Sequence, residues 1–256
     1  MAHGGESAST GTWRSSPRPC RVDAPAMRIH TVAFALIGGL LAACAAGGGP
    51  APSSEIAPGA RWIDTETIQG ERNFLAGWEP KSADGWVRAV VEIPAGRLEK
   101  FEVKQDGLLH WDIEDGKPRV VRYIGYPANY GMVPRTVLSE ARGGDGDPLD
   151  ILVLGAPMLR GSVVDVKVIG MILLVDRGEG DDKLLAVAKG SPFEDVEDVD
   201  ELEREFPGVT QILQTWFLNY KGPGKFTAQG FAGRNEAVAT LDQAIADFAA
   251  AQAAAR

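Results

Sequence analysis

The chain has 256 residues, of which 45% are hydrophobic and 24% charged, a composition typical of a globular protein with one sizeable domain plus attachments. Its formal net charge of −9 makes it a poor candidate for nucleic-acid binding, which requires a basic face. No cysteine follows Cys44, so the chain beyond that residue has neither a disulfide nor a thiolate metal site.

The amino-terminal region has the layout of a secretory signal peptide. Arg28 and His30 precede an apolar run over 31–43, which is too short for a comfortable membrane span and ends in small residues before Cys44. Its end, "LAAC", resembles the lipobox of bacterial lipoproteins, whose cysteine carries the lipid. An uncleaved anchor and an ordinary signal peptide with a chance cysteine are the alternatives.

These features predict three segments. Residues 1–43 form a signal segment, with Met27 as an alternative start, residues 44–54 a flexible lipidated tether, and residues 55–256 the folded domain. The resemblance to lipoproteins predicts an extracytoplasmic protein anchored to a bacterial membrane through lipidation of Cys44. Alanine rather than aspartate after this cysteine favours the periplasmic face of the outer membrane.

The domain is predicted to be mainly β. Residues 55–85 are mixed and harder to place. Short apolar, β-branched runs separated by turn signals such as "KQDG" and "EDGKP" predict strands over 86–93, 100–104, 108–113, 119–124, 149–155, 162–176 and 183–189. Many short strands at close spacing are typical of a barrel or sandwich.

Helices are expected late in the chain. In residues 207–221 apolar side chains recur at helical spacing, and Pro207 suits a first helical turn. An alanine-rich second helix is expected from about Asn235. The predicted fold class is therefore mainly β (α+β), a closed barrel with one or two helices packed against it.

The stretch "GGDGDPLD" places Asp145, Asp147 and Asp150 within six residues. At ~5 Å and an effective dielectric of about 20, each ionised pair would repel by roughly 3 kcal/mol. Either the turn is fully solvated or a cation offsets the repulsion. Hard oxygen ligands on a glycine-rich turn suit Mg²⁺, Mn²⁺ or Ca²⁺, although the EF-hand spacing is absent.

A second acidic group contains Asp176, Asp181 and Asp182 and follows a long apolar strand. Alone it is typical of a solvated hairpin tip, but both acidic groups lie at strand ends that a barrel could bring to one rim.

The chain also contains basic and phenolic side chains suited to phosphate oxygens: Lys100, Arg119, Tyr126, Tyr130, Lys183, Tyr220 and Lys221. Taken individually, each of these seven is better explained by an ordinary structural role.

Several segments together resemble family I soluble inorganic pyrophosphatases over roughly residues 86–235. They are "VVEIP", "KFE", "YPANYG", "GDGDPLD", the spacing of Asp176, Asp181 and Lys183, and "NYK", in the order of that family. The resemblance implies an OB-like barrel that hydrolyses pyrophosphate to two phosphates. It also implies several Mg²⁺ ions per site, with Mn²⁺ as an alternative, and it allows a homo-oligomer.

The resemblance implies a role for each matching residue. Asp145, Asp150 and Asp181 would hold one metal, Asp150 would reach towards a second, and Asp176 with Asp181 would bind a metal that accompanies the substrate. Asp147 would help to deprotonate the attacking water, while Glu92 and Glu102 would bind further metal through water. Lys100, Arg119, Lys183, Tyr220 and Lys221 would clamp phosphate, and Tyr126 and Tyr130 would line the site, with Lys100, Arg119 and Tyr130 also assigned to catalysis.

Two placements have neighbouring competitors. Arg119 is preferred to Arg122. Asp181 is preferred to Asp182 because the family has a two-residue step from this aspartate to lysine.

Two other functions remain as alternatives: a metal phosphohydrolase of other phosphate esters, and a non-catalytic lipoprotein that binds metal or phosphate. Retention of every catalytic position that can be placed favours the enzyme.

Overall fold

The computed structural model describes residues 55–139, 144 and 146–254. The predicted signal segment, the tether with Cys44, and Asp145 lie outside the described residues, so the expectations about them remain predictions. Within the described residues no helix has the length and apolar character needed to cross a membrane.

The described elements follow one another as short strands with three helices near the end. In chain order they are β1 (Arg61–Trp62), β2 (Thr67–Gln69), β3 (Val87–Ile93), β4 (Phe101–Val103), β5 (Leu109–Trp111), β6 (Ile113–Glu114), β7 (Lys117–Pro118), β8 (Asn129–Met132), β9 (Asp150–Leu154), β10 (Val163–Asp176), β11 (Glu179–Gly180), β12 (Lys183–Ala188), α1 (Val199–Glu205), α2 (Val209–Tyr220), β13 (Phe226–Gly233) and α3 (Arg234–Ala254).

Five strands close into a ring. β3 pairs with β8, β8 with β9, β9 with β12, β12 with β10, and β10 returns to β3. All of these pairings are antiparallel except that of β9 with β12. Closure leaves no open edge in the ring, which confirms the predicted closed, OB-like barrel.

The two parallel strands are almost completely buried. Every residue of β12 is buried, as are four of the five residues of β9. A continuous apolar run is what a strand covered on both faces requires. These strands also define the rim where the acidic residues lie, because each begins with a charged residue, Asp150 or Lys183.

Two helices cover opposite parts of the barrel. α2 buries Leu213, Trp216 and Phe217 in a cluster with strands β9, β10 and β12. α3 buries Leu241 and two alanines against another part of the ring. Both helices lie where the sequence predicts them.

α1 is a third helix that the sequence analysis did not predict. Its N-cap is Asp198, whose side chain accepts a hydrogen bond from the Glu201 amide at 2.8 Å. It buries only Val199 and Leu202 and has only seven residues, too few to produce a clear periodic pattern.

The predicted strand over 119–124 is wrong. Within the described chain this segment makes only an isolated bridge between Val120 and Glu99, followed by bends. The Arg119 and Val121 amides donate to carbonyls of different partners, those of Asp112 and Leu98, so no ladder forms. The prediction also missed β8 and β13, where glycines weaken the strand signal.

A glycine in β8 is required by the close approach of two strands. A Cβ atom on Gly131 would lie 1.8 Å from the carbonyl oxygen of Val90 on β3. Only glycine allows the strands to pair at this distance. The pairing fixes the position of the neighbouring Tyr130, whose side chain belongs to the site described next.

Residues 55–85, in which the sequence analysis placed no element, contribute to a second sheet. Its strand order is β1-β2-β5-β4. Beneath it, Ile68, Phe74, Phe101 and Leu109 form a third buried cluster with residues of β3 and β8. The sheet places β4, which carries Glu102, beside the barrel.

Candidate active site

A polar cavity of about 270 Å³ contains nearly all of the predicted site residues that the structure describes. Twelve of them line it: Glu92, Lys100, Glu102, Arg119, Tyr126, Tyr130, Asp147, Asp150, Asp181, Lys183, Tyr220 and Lys221. The cavity therefore brings together segments that are widely separated in the chain.

The acidic turn is held against the preceding loop by backbone hydrogen bonds. Gly146 has a φ of 84°, which glycine adopts without strain, and its amide donates to the Leu138 carbonyl at 2.8 Å. The Leu138 amide donates in turn to the Asp147 carbonyl at 2.8 Å. Thr136 accepts a hydrogen bond from the Leu149 amide through its hydroxyl at 2.9 Å. These contacts fix the backbone from which Asp147 lines the cavity.

Lys183 connects two of the predicted metal ligands. Its Nζ lies 2.6 Å from Oδ2 of Asp150 and 3.1 Å from Oδ1 of Asp181. The Tyr130 hydroxyl also donates to Oδ2 of Asp150, at 2.6 Å. Burial alone would lower the pKa of Lys183, but the two carboxylates outweigh it and raise this pKa above its ordinary value. Lys183 is therefore a buried cation at neutral pH.

Asp176 does not line the cavity but contacts a residue that does. Its Oδ2 accepts from Nζ of Lys221 at 2.7 Å, and Lys221 lines the cavity. Its Oδ1 is buried and has no hydrogen-bond partner among the described residues. A buried carboxylate oxygen without a donor is an energetic cost that a bound cation would offset.

Asp181 and Asp182 both line the cavity. Oδ1 of Asp182 accepts from the Leu174 amide of β10 at 2.9 Å, whereas Oδ1 of Asp181 lies 3.1 Å from Nζ of Lys183. Burial raises the pKa of Asp181, despite the opposing effect of Lys183. Its carboxylate is thus less stable as an anion than an exposed one.

Glu92 and Glu102 both line the cavity but have different surroundings. Glu92 is 4% exposed, and its Oε1 accepts from the Val103 amide at 2.6 Å. Burial raises the pKa of Glu92 well above its ordinary value. For Glu102 burial acts in the same direction, but hydrogen-bonded ion pairs with Lys100 and Lys104 outweigh it and lower the pKa to about 2.

Arg119 is positioned by a residue that the sequence analysis missed. Its Nη1 donates to Oδ2 of Asp112 at 3.0 Å, and Glu114 lies 3.7 Å from its Nε. The hairpin of β6 and β7 turns through Asp115 and Gly116, which both have positive φ, and pairs Ile113 with Pro118. In the same register Asp112 lies opposite Arg119, one residue further from the turn than the pair of Ile113 and Pro118. The "DG" turn signal with this register could have revealed the contact. Arg122 is exposed and does not line this cavity, whereas Arg119 does.

Aromatic rings form the remaining wall. Tyr220 stacks on Trp216 with centroids 4.3 Å apart, and Tyr126 lies 4.5 Å from the same indole. Burial raises the pKa values of Tyr126, Tyr130 and Tyr220 above their ordinary value. The phenols therefore remain protonated at neutral pH and can serve as hydrogen-bond donors.

The carboxylates fit divalent cations by their chemistry. Among the described residues no three acidic, histidine or cysteine side chains are close enough together to form a metal site, and Asp145, a predicted ligand, lies outside those residues. Hard carboxylate oxygens from several turns nevertheless face one cavity, and Oδ1 of Asp176 is buried without a donor in this part of the chain. Such oxygens are the ligands that Mg²⁺ prefers.

Comparison with known proteins assigns the chain to a family. The family model described as inorganic pyrophosphatase matches residues 89–249, so this chain belongs to the inorganic pyrophosphatase family. It is 32% identical over 166 residues to the mitochondrial inorganic pyrophosphatase of Saccharomyces cerevisiae, covering 57% of this chain and 54% of that protein. It is 34% identical over 190 residues to inorganic pyrophosphatase 1 of Caenorhabditis elegans, covering 66% and 44%.

The fold agrees with this assignment. The crystal structure of inorganic pyrophosphatase from Thermus thermophilus is similar with a TM-score of 0.58 and 29% identity, covering 69% of this chain and 98% of that one. The chain spans about half the length of the two curated relatives above.

Proposed function

We propose that this protein hydrolyses inorganic pyrophosphate to two phosphates with the help of Mg²⁺. One observation carries the proposal: a single cavity presents five cationic side chains and three phenols beside the carboxylates of Asp147, Asp150 and Asp181. Membership of the inorganic pyrophosphatase family supports it.

The cationic side chains are suited to a compact, highly charged anion. Lys100, Arg119, Lys183 and Lys221 approach the cavity from different segments, so they can contact both phosphate groups at once. Ion pairs with carboxylates hold these four side chains in place before the substrate binds. Tyr126, Tyr130 and Tyr220 add neutral donors, and burial keeps them protonated.

Asp147 is the side chain we assign to the attacking water. It lines the cavity on a backbone fixed by Leu138 and Gly146, so it can orient a water and accept its proton. Asp145, Asp150, Asp176 and Asp181 would hold Mg²⁺, with Glu92 and Glu102 bordering it. Bound Mg²⁺ supplies charge neutralisation and lowers the pKa of water. The lysines and Arg119 stabilise charge on the departing phosphate.

Phosphate release by the purified full chain tests the proposal. We expect two phosphates per pyrophosphate in the presence of Mg²⁺, loss of release in EDTA, and recovery when Mg²⁺ is restored. ATP and simple phosphate esters should be far poorer substrates, because the cations that line the cavity are proposed to contact two phosphate groups and no lining residue is assigned to a nucleoside or an ester group. Faster hydrolysis of ATP than of pyrophosphate would favour the general phosphohydrolase, and no hydrolysis of either would favour the binding protein.

We further propose that the enzyme is tethered to a bacterial membrane and acts on extracytoplasmic pyrophosphate, scavenging phosphate. The "LAAC" sequence before residue 45 supports this setting, with lipidation of Cys44 and the periplasmic face of the outer membrane favoured. Cell fractionation with mapping of the mature amino terminus tests it. A soluble cytoplasmic product that retains residues 27–43 would contradict it. Light scattering on the purified protein tests whether it forms a homo-oligomer.

A further inference from the structure

A short segment that lies outside the family match joins two parts of the cavity wall. It comprises residues 73–79, whereas the family match begins at residue 89. Two hydrogen bonds fold the segment into a compact turn: Oδ1 of Asn73 accepts from the Ala76 amide at 2.8 Å, and the Asn73 carbonyl accepts from the Gly77 amide at 2.8 Å. We call residues 73–79 the brace, because they are bonded to two other segments at once.

The first of these segments is the turn that follows β4. Nδ2 of Asn73 donates to the Asp106 carbonyl at 3.0 Å, and the Phe74 amide donates to the Gly107 carbonyl at 2.9 Å. The same turn is closed by the Gly107 amide, which donates to the Lys104 carbonyl at 2.8 Å. Because Lys104 lines the cavity, the brace is bonded here to a turn of the cavity wall.

The second segment contains Arg135, which makes three contacts with the brace. The Arg135 amide donates to the Leu75 carbonyl at 2.8 Å, and its Nε donates to the Ala76 carbonyl at 2.9 Å. Its Nη1 forms an ion pair with Glu79. The brace therefore holds both the backbone and the guanidinium group of Arg135.

These contacts hold Arg135 in an unfavourable backbone conformation. Its φ is 53°, in the left-handed region that residues other than glycine rarely adopt. Such a conformation persists only where the surrounding structure imposes it. The next residue, Thr136, is buried, donates through its hydroxyl to the Val133 carbonyl at 2.6 Å and accepts from the Leu149 amide at 2.9 Å. A change of conformation at Arg135 would therefore move a side chain that is bonded to Leu149, two residues after Asp147.

Hydrogen bonds connect the residues after Arg135 to both sides of Asp147. Leu138 donates to the Asp147 carbonyl and accepts from the Gly146 amide, each at 2.8 Å, while Thr136 holds the amide of Leu149. Within the described part of the chain, the cations proposed to bind phosphate have no hydrogen bond or ion pair with the brace or with Arg135; these cations are Lys100, Arg119, Lys183 and Lys221. The brace therefore acts on the carboxylate side of the cavity.

We propose that Arg135, held by the brace, is a positioning residue that aligns Asp147 with the attacking water. The proposal rests on the proposed function, which assigns Asp147 to that water. Release of Arg135 would let the turn shift, so Asp147 would lose its alignment with the reacting atoms while the phosphate-binding cations keep theirs. The step that suffers is therefore hydrolysis rather than the binding of pyrophosphate.

Two measurements on Arg135→Ala in the full-length chain test the proposal. In steady-state kinetics with pyrophosphate and Mg²⁺, we expect kcat to fall about tenfold while KM changes by less than about twofold, because a small misplacement of a catalytic group costs turnover. Without metal or substrate, hydrogen exchange followed by NMR should show the Gly146 and Leu149 amides exchanging about tenfold faster, whereas the amides of β12 should exchange as in the wild type.

Three further variants separate positioning from stability. Arg97→Ala is the matched control, because the side chain of Arg97 is 37% exposed like that of Arg135 and pairs with Glu55 without lining the cavity; kcat and both exchange rates should stay as in the wild type. Arg135→Lys keeps a cation beside Glu79 and should restore kcat to within about threefold of the wild type. Arg135→Gly suits the left-handed backbone, so it should unfold at a higher temperature than Arg135→Ala, yet its kcat should be no higher because the side-chain contacts with the brace are absent.

Glu79→Gln removes the ion pair from the side of the brace and leaves Arg135 in place. It should lower kcat about threefold, as expected for the loss of one exposed charge contact, and it keeps the proposal testable where Arg135→Ala does not fold.

Three outcomes would overturn the proposal. Unchanged kcat and exchange in Arg135→Ala would show that the brace does not position Asp147. A rise in KM at constant kcat would show that it serves substrate binding instead, and faster exchange throughout β12 would show a general loss of stability. A wild type that does not hydrolyse pyrophosphate would refute the proposed function instead, and hydrogen exchange would still decide whether Arg135 holds the turn.

Discussion

Asp112 holds Arg119 at the wall of the candidate active-site cavity, with 3.0 Å between Oδ2 of the carboxylate and Nη1 of the guanidinium group. The side chains of both are about one-fifth exposed. The contact is reinforced by the backbone, since the Arg119 amide donates to the Asp112 carbonyl at 2.7 Å. The orientation of Arg119 therefore depends on a carboxylate that does not itself line the cavity.

Replacing Asp112 with asparagine should loosen Arg119 while leaving the barrel intact. We expect KM for pyrophosphate to rise about fivefold, corresponding to roughly 1 kcal/mol for a partly exposed charge pair, with a smaller change in kcat. Steady-state kinetics measures both constants. Asp165→Asn is the matched control, because Asp165 pairs with Arg88 on the barrel surface away from the site. A fivefold loss in that control would show that the effect is unspecific.

Elements that depend on local sequence patterns could be predicted, whereas those that depend on contacts between distant segments of the chain could not. Residues 162–176 and 183–189 are long apolar runs, so the strands β10 and β12 were evident from the sequence. The segment 119–124 has similar β-branched residues, yet its amides bond to different partners, and such tertiary choices leave no local pattern. β8 contains Gly131, which is needed for strand contact but weakens the strand signal.

The candidate site likewise has some features that the sequence predicts and others that it does not. Residue types and the family resemblance supplied the members of the cavity, but the contact of Lys183 with Asp150 depends on the parallel pairing of β9 with β12. No local signal predicts that pairing. The contact of Asp112 with Arg119, by contrast, follows from a two-residue hairpin and was within reach of the sequence.

Lys183 should contribute to stability as well as to substrate binding. It is 2% exposed, and removing its charge leaves the carboxylates of Asp150 and Asp181 without their cation. Because both carboxylates are 27% exposed, we expect Lys183→Met to lower the free energy of unfolding by about 3 kcal/mol, the lower end for a broken buried pair. Urea unfolding measures this loss.

Adding Mg²⁺ should stabilise the Lys183→Met protein more than the wild type, because a cation can take the place of the lost charge. Lys167→Met is the control, since Lys167 pairs with Glu197 away from the cavity. A Mg²⁺ effect that is no larger in Lys183→Met than in the wild type would argue against metal binding by these two carboxylates.

The buried tyrosines predict a loss of stability at alkaline pH. Burial raises the pKa of Tyr126 in the folded chain, whereas in the unfolded chain it is near the ordinary value of about 10. As the pH rises above about 10, the unfolded chain loses a proton that the folded chain retains, so unfolding becomes more favourable. Thermal unfolding between about pH 8 and 11 follows this change.

Tyr126→Phe keeps the ring and removes the ionisable group, so its stability should fall less steeply with pH than that of the wild type. Tyr123→Phe is the control, because Tyr123 is 40% exposed whereas Tyr126 is 3% exposed. Parallel pH profiles for the wild type and Tyr126→Phe would show that this phenol does not contribute.

Turnover by Asp147→Asn at matched protein concentration, measured as phosphate released from pyrophosphate in Mg²⁺, is the decisive test of metal-assisted pyrophosphate hydrolysis at this site. The substitution keeps the size of the side chain but removes the carboxylate that is assigned to the attacking water. We expect kcat to fall by about 10²- to 10⁴-fold with an unchanged thermal unfolding temperature. Near-wild-type turnover by the folded variant would contradict the role of Asp147.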